Sequence, residues 1–161
     1  MVHQRAYLAR YLRTLSLEMM LAGAQVCRQF DPDLEPSWVS IINHLGQGHG
    51  ITVAAAAEMM EVSHVHALKL LRAMKNKGVV KGEADPKDGR STIYRLTKKG
   101  TALVPKVALI AGASEHIVAD IENETGQSLV DALSVFKRAL QKKGWAERLV
   151  EKIDSIEETT T

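Results

Sequence analysis

Cationic side chains are concentrated between Ser63 and Gly100, and their number suits the binding of a polyanion. This stretch contains ten lysines and arginines but three aspartates and glutamates, so its net charge is +7, whereas the whole chain carries +2. The remaining residues therefore sum to −5. Positive charge gathered on one short segment is the electrostatic signature of nucleic-acid binding. The alternative is a solvated basic segment without a partner.

The order of elements in this stretch would hold those cations against a duplex. Ser63 is placed to cap a helix that Gly78 ends. The core-facing side of this helix is predicted to consist of Ala67, Leu70, Leu71 and Met74. Two strand-like segments, 79–84 and 91–96, flank the charged turn DPKDGR, and Thr97 begins another helix. A short alanine-rich helix capped by Thr52 precedes Ser63, which gives a helix-turn-helix followed by a wing.

The segment 36–100 resembles the winged helix-turn-helix domain of MarR-type transcriptional regulators. The similarity is most specific in GVVKGEADPKDGRSTIYRLTKKG, with its D-P-x-D-x-R tip and L-T-x-x-G exit. The resemblance implies a homodimer in which the first and last helices of two subunits interleave, with a ligand pocket between those helices and the winged domain. It also places base contacts early on the recognition helix. The sequence departs from the family at Leu68, where a small polar residue is frequent, and at Ala73, where an arginine is frequent.

Double-stranded DNA is the predicted partner, and two groups of residues are predicted to contact it. The recognition helix presents the polar, cationic or apolar side chains of Ser63, His64, Val65, His66, Lys69 and Arg72. On the wing, Arg90 is predicted to enter the minor groove, where the potential is most negative. Asp88 would orient its guanidinium, and Lys87 would meet a phosphate. The alternative for Asp88 and Arg90 is a surface ion pair of little consequence.

Helical patterns flank the winged segment on both sides. They predict a first helix over 3–30, a second from Pro36, a long one from Thr97 and a last helical region broken at Lys143–Gly144. The terminal helices have more apolar surface than a domain of roughly 70 residues can cover, which indicates a dimerisation layer. The predicted fold class is therefore mainly α with a small β wing. Residues 1–35 would form an N-terminal dimerisation helix, 36–100 the winged helix-turn-helix DNA-binding domain, and 101–161 the C-terminal dimerisation helices.

The ligand pocket that the resemblance implies would be lined by apolar and polarisable side chains: Met19, Met20, Cys27, Trp38 and His44. Such a lining suits a small lipophilic or aromatic effector, although packing in the core explains the same residues equally well. Cys27 leaves a further alternative open, because some members of the family sense peroxides through a cysteine on the first helix. Arg28 beside it could lower its pKa, whereas a lone cysteine next to Val26 usually packs.

Other classes of function lack a signal in the sequence. No nucleophile motif, phosphate loop or metal-ligand spacing is apparent, so we expect neither an enzyme, a cofactor nor a metal site. His64 and His66 point about 200° apart on a helix and cannot readily share an ion. No secretory signal or apolar run of about 20 residues is present, which predicts a cytoplasmic protein without a membrane partner. The sequence thus predicts a homodimeric, sequence-specific transcriptional regulator, specifically a ligand-responsive repressor, with a non-specific architectural DNA binder or a protein-interaction module as alternatives.

Overall fold

The computed structural model describes residues 6–86, 89 and 91–160, and its contacts divide the chain into two compact units. The first unit runs to Ser114 and the second begins at Glu115. This division falls within a long helix and does not test the domain boundaries predicted at residues 35 and 100. Those boundaries stay a prediction.

The described residues form seven α-helices and three short strands, which confirms the predicted mainly helical fold with a small β wing. In chain order the elements are α1 (Leu8–Phe30), a 3-10 turn (Pro36–Trp38), α2 (Val39–Gly46), β1 (Ile51–Thr52), α3 (Val53–Met60), α4 (His64–Asn76), β2 (Val80–Ala84), β3 (Thr92–Leu96), α5 (Lys98–Thr125), α6 (Leu129–Lys142) and α7 (Trp145–Thr160). The second helix does not start directly at Pro36 as predicted, because the 3-10 turn precedes it.

The wing is a three-stranded antiparallel sheet in the order β1-β3-β2. β2 and β3 form the predicted hairpin, with Val80 opposite Leu96 and Ala84 opposite Thr92. β1 was not predicted, since two residues are too few to show the alternation by which a strand is recognised. Its residue Ile51 is paired with Tyr94, and this pairing attaches the segment before α3 to the wing.

The predicted ends of the helix-turn-helix elements are confirmed. The Thr52 hydroxyl accepts a hydrogen bond of 3.2 Å from the amide of Ala55, and the Ser63 hydroxyl accepts one of 3.2 Å from the amide of His66. Gly78 has φ +70°, a conformation that side chains disfavour, and it follows the C-cap of α4. Local capping chemistry therefore positions both helices of the motif.

One apolar core holds the first unit together. Its buried residues come from α1, the segment after it, the winged elements and the first turns of α5: Cys27, Leu34, Trp38, Ile41, Ile42, Leu45, Ile51, Ala56, Ala67, Leu71, Met74, Val79, Val80, Tyr94, Leu103 and Val107. Of the four core positions predicted on α4, Ala67, Leu71 and Met74 are fully buried and Leu70 packs against the cluster from a half-buried position. α4 is thus anchored along one side only.

Among the described residues, α5 is one helix long and apolar enough to cross a membrane, judged by length and composition alone. Its first turns belong to the winged-domain core, where Leu103 and Val107 are buried. Farther along, Leu109, Ile117 and Ile121 are exposed. Helices that pack in soluble proteins have the same composition, so this is weak evidence for a membrane span.

In the second unit, the predicted break at Lys143–Gly144 is confirmed, because α6 ends at Lys142 and α7 begins at Trp145. α5 ends at Thr125, and Gly126 follows with φ +67°. The Ser128 hydroxyl then caps α6 by accepting from the amide of Asp131 at 3.1 Å, while it donates to Glu122 at 2.9 Å. α6 carries the exposed apolar side chains of Leu129, Leu133 and Phe136 at helical spacing.

Candidate nucleic-acid interface

One side of α4 is open to solvent along the first three turns of the helix. His64, Val65, His66, Lys69 and Arg72 are all exposed, and Val65 leaves 61% of its surface in solvent. The opposite side of the helix is fixed in the core, so these five side chains project away from it. Free backbone amides and the positive end of the helix dipole also face outward there, which favours a phosphate.

Leu68 does not take part in this exposed surface to the same degree, because it is half-buried.

The turn before α4 is tight. Glu61 adopts a left-handed conformation with φ +54°, and the amide of Val62 donates a hydrogen bond of 3.0 Å to the carbonyl oxygen of Ala57. Val62 packs against the core from this turn. The angle between α3 and α4 is therefore set by backbone geometry as well as by packing.

The wing strands carry a small charge network that the sequence analysis missed. Glu83 accepts an ion pair from Lys81 at 2.6 Å and lies 3.8 Å from Arg95. Because Lys81 stands directly opposite Arg95 in the hairpin, the two cations would repel each other without this carboxylate. The hydrogen bond from Lys81 and the charge of Arg95 lower the pKa of Glu83. The amide of Asp85 closes the hairpin on the carbonyl oxygen of Ser91 at 2.9 Å.

The wing tip itself, where contact with DNA was predicted, lies largely outside the described residues. This applies to Lys87, Asp88 and Arg90, so their roles stay predictions.

Two cations of the basic segment are bound to an acid that precedes it in sequence. The carboxylate of Asp33 forms ion pairs with the ammonium groups of Lys77 at 2.8 Å and Lys99 at 3.1 Å. The ammonium group of Lys99 also donates a hydrogen bond of 3.1 Å to the carbonyl oxygen of Lys77. The two lysine hydrogen bonds lower the pKa of Asp33, and Asp33 raises the pKa of Lys77. The positive charge available for DNA is therefore smaller than the count between Ser63 and Gly100 implies, and it is weighted toward α4. No local sequence pattern links Asp33 to residues 44 and 66 positions away.

The five residues predicted to line a ligand pocket have different surroundings. Cys27 and Trp38 are buried in the core, whereas Met19 and Met20 are 60% and 52% exposed. His44 is half-buried, with its ring centroid 6.1 Å from that of His49. Burial, followed by the charge of Glu35, raises the pKa of the Cys27 thiol, so the activating effect expected from Arg28 does not prevail.

An open groove of about 510 Å³ lies elsewhere in the first unit, between the end of α2, strand β3 and the start of α5. Its lining combines apolar, glycine and polar or charged residues: Leu45, Gly46, Gly48, His49, Arg95, Leu96, Thr101, Val104 and Pro105. None of the five predicted ligand residues is among them, and their role in binding an effector stays a prediction. Within the described ranges, no three histidine, cysteine, aspartate or glutamate side chains are grouped as a metal site requires.

Comparisons with known proteins agree with this geometry. Residues 34–100 match the family model of the winged helix DNA-binding domain. No curated relative matches the chain in sequence.

Solved structures similar to this chain include MepR from S. aureus in complex with DNA (21% identity over 82% of this chain and 96% of that chain, TM-score 0.69). MarR from Oenococcus oeni PSU-1 is 20% identical over 83% of this chain and 98% of that chain, with a TM-score of 0.64. A MarR transcriptional regulator from Methanosarcina mazei Go1 is 17% identical over 84% of this chain and 98% of that chain, also with a TM-score of 0.64.

The chain therefore contains a winged helix DNA-binding domain, the class that its basic helix and hairpin define. Its fold is that of the MarR-type transcriptional regulators, which confirms the resemblance seen in the wing sequence.

Proposed function

We propose that this protein is a homodimeric, sequence-specific transcriptional repressor in the cytoplasm, and that a small lipophilic or aromatic effector alters its affinity for DNA. The observation that carries the proposal is the two-sidedness of α4. Ala67, Leu71 and Met74 are buried on one side of the helix, while the other side exposes His64, Val65, His66, Lys69 and Arg72 to solvent. A helix of this kind fits the major groove, where every base pair has its own pattern of donors and acceptors.

The proposed division of labour follows from the chemistry of the two DNA-contacting parts. His66 and Val65 would read base edges, the latter through a thymine methyl group, and Lys69 would reach a guanine edge or a phosphate. Ser63 caps the helix and so holds its free amides toward a phosphate. Arg90 would enter the minor groove and add affinity with little sequence information.

Exposed apolar residues on two helices support the homodimer. Ile117 and Ile121 on α5, and Leu133 and Phe136 on α6, leave between 40% and 58% of their surfaces in solvent. Contiguous apolar surface of this kind in a soluble protein marks an interface. A two-fold dimer would also place two α4 helices in successive major grooves about 34 Å apart.

An effector would act by favouring one separation of the two α4 helices over another, because a ligand shifts an equilibrium only by its differential affinity for the two states. Met19, Met20, Cys27, Trp38 and His44 remain the proposed lining. The similar structures include MepR bound to DNA and MepR in a DNA-binding conformation. They support the proposal that this protein also changes conformation between two states.

The experiment has three steps. Operator sequences are selected from a random DNA pool, affinity is measured by fluorescence anisotropy at two salt concentrations, and operator is compared with scrambled duplex. We expect His66→Ala to lower preference for the operator more than binding to scrambled DNA, and Lys69→Ala to weaken both. Arg90→Ala should weaken binding to every duplex by about 1–3 kcal/mol.

Lys142→Ala is the matched control, since Lys142 is also an exposed helical lysine but lies in the second unit. It should leave both affinities unchanged. Equal affinity for operator and scrambled DNA would favour the architectural DNA binder instead. An affinity that does not fall with rising salt would favour the protein-interaction module, because phosphate contacts are salt-sensitive.

A further inference from the structure

The last helix, α7, has an apolar face that follows the heptad pattern of a coiled coil. Ala146, Leu149, Ile153 and Ile156 are separated by three, four and three residues, which are the spacings of successive a and d positions. Leu149 and Ile153 are 49% and 47% exposed in the chain. A face of this composition is normally covered by another helix.

The other side of α7 holds the helix to its own chain. Arg148 donates from Nη2 to the carbonyl oxygen of Ala139 and from Nε to that of Lys143, both at 2.9 Å. Glu151 forms an ion pair with Lys143. Arg148 and Glu151 occupy the c and f positions, which lie opposite the a and d face of a helix. These contacts with Ala139 and Lys143 therefore use the side of α7 opposite its heptad face.

The residues beside the heptad face determine which helix can cover it. Trp145 and Lys152 occupy g positions, and Val150 and Glu157 occupy e positions. In a parallel pair, each g residue meets the e residue five positions later on the other helix. Trp145 would then meet Val150 of the partner subunit, and Lys152 would meet Glu157 of the partner subunit. Both matches are complementary, one apolar and one oppositely charged.

An antiparallel arrangement of the same two helices is disfavoured. With the a and d layers aligned, each Lys152 would face the partner subunit's Lys152, and each Val150 would face the partner subunit's Glu157. Like charges at flanking positions select against a pairing, and so does an apolar side chain opposite an acid.

We propose that α7 pairs with α7 of a second copy of this chain as a parallel, in-register, two-stranded coiled coil. Leu149 at a d position followed by Ile153 at an a position is the pattern that favours two strands, and Ile156 at the next d position departs from it. Sixteen residues are too few to form such a pair alone. The pairing therefore rests on the proposed homodimer, which supplies a high effective concentration of the second helix. It is a separate contact that closes the C-terminal end of the dimer.

Disulfide cross-linking tests the register. In a Cys27→Ala background, Ala146→Cys and Ile153→Cys each place a thiol at an a position, and Ser155→Cys places one at a c position of the same helix as a control. Under mild copper-phenanthroline oxidation, we expect covalent dimers from the first two variants and little from the third. In the antiparallel pair, Ala146 would lie about 15 Å from its own copy, so Ala146→Cys would not cross-link.

The homodimer and the α7 pair can fail separately. Suppose that light scattering shows a dimer but the three cysteine variants all cross-link poorly, or all cross-link equally fast. That result would overturn the α7 pair and leave the homodimer standing. A monomer would overturn both.

A charge exchange provides the second test. Lys152→Glu should raise the dimer dissociation constant about five-fold, because two pairs turn from attraction to repulsion. The double variant Lys152→Glu with Glu157→Lys should restore it in a parallel pair. Failure of the double variant to recover affinity would contradict the proposed register.

Discussion

The hydroxyl of Thr97 donates a hydrogen bond of 2.6 Å to the carbonyl oxygen of Gly78, 19 residues earlier in the chain. The same hydroxyl accepts from the amide of Gly100 at 3.2 Å, and so it also caps α5. One side chain thus joins the end of the recognition helix to the exit of the wing and the start of α5.

Thr97→Val should consequently destabilise the protein by about 1–2 kcal/mol, the combined effect of a lost helix cap and a lost hydrogen bond. Thr97→Ser keeps the hydroxyl and should retain most of the stability. Urea unfolding at a fixed protein concentration measures both variants. Equal stabilities of the Val and Ser variants would mean that the hydroxyl contributes nothing.

Gly100 and Gly112 are both within α5, and we expect opposite results when each is replaced by alanine. A Cβ on Gly100 would lie 2.1 Å from the carbonyl oxygen of Val79, a contact that requires the backbone to move. Gly100→Ala should cost at least about 2 kcal/mol or prevent folding, as severe overpacking does. A Cβ on Gly112 meets nothing within 4 Å, so Gly112→Ala should add about 0.5–1 kcal/mol through helix propensity. Thermal unfolding distinguishes the two, and a tolerated Gly100→Ala would show that α5 and the wing are not in such close contact.

Asp33 should contribute to stability in a pH-dependent way. The pKa of this carboxyl is below the ordinary value of 3.8, because Lys77 and Lys99 bond its ionised form. Its contribution is therefore present above pH 3.8 and is lost as the pH falls through the lower pKa of the folded state. Asp33→Asn should be less stable than the unmodified protein near neutral pH, and the difference should vanish in strong acid.

Unfolding curves across that pH range test this expectation for Asp33. The double variant Lys77→Met with Lys99→Met serves as the control, since it retains the carboxyl but removes both partners. Its stability should lack the same pH dependence. If it keeps the full dependence, other groups are responsible.

Cys27 should behave as a packing residue. Its side chain is 1% exposed. Its raised pKa keeps the sulfur protonated at neutral pH, and the protonated thiol is not the nucleophilic form. We expect iodoacetamide to modify the native protein slowly and the urea-unfolded protein quickly. Mild peroxide treatment should leave DNA affinity unchanged in both the unmodified protein and Cys27→Ser. If peroxide abolishes DNA binding and Cys27→Ser prevents that loss, the protein is a redox sensor instead.

Local chemistry in the sequence was sufficient to predict most of the winged domain. The hydroxyls of Thr52 and Ser63, the left-handed glycine at position 78 and the helical spacing of Ala67, Leu71 and Met74 each act within a few residues of their partners. Their effects can therefore be read from short patterns, and the helix-turn-helix and the hairpin follow from them. The exposed side of α4 follows as well, because its opposite side must be buried.

Tertiary structure decided the features that depend on residues distant in sequence. The strand Ile51–Thr52 exists because β3 offers it a partner, and no alternation in two residues could indicate it. Asp33 neutralises part of the basic segment from outside it, and Cys27 loses reactivity because the core surrounds it. Charge counts and neighbouring residues describe neither effect, since both the pairing of an ion and the polarity around a thiol are set by what folding brings next to them.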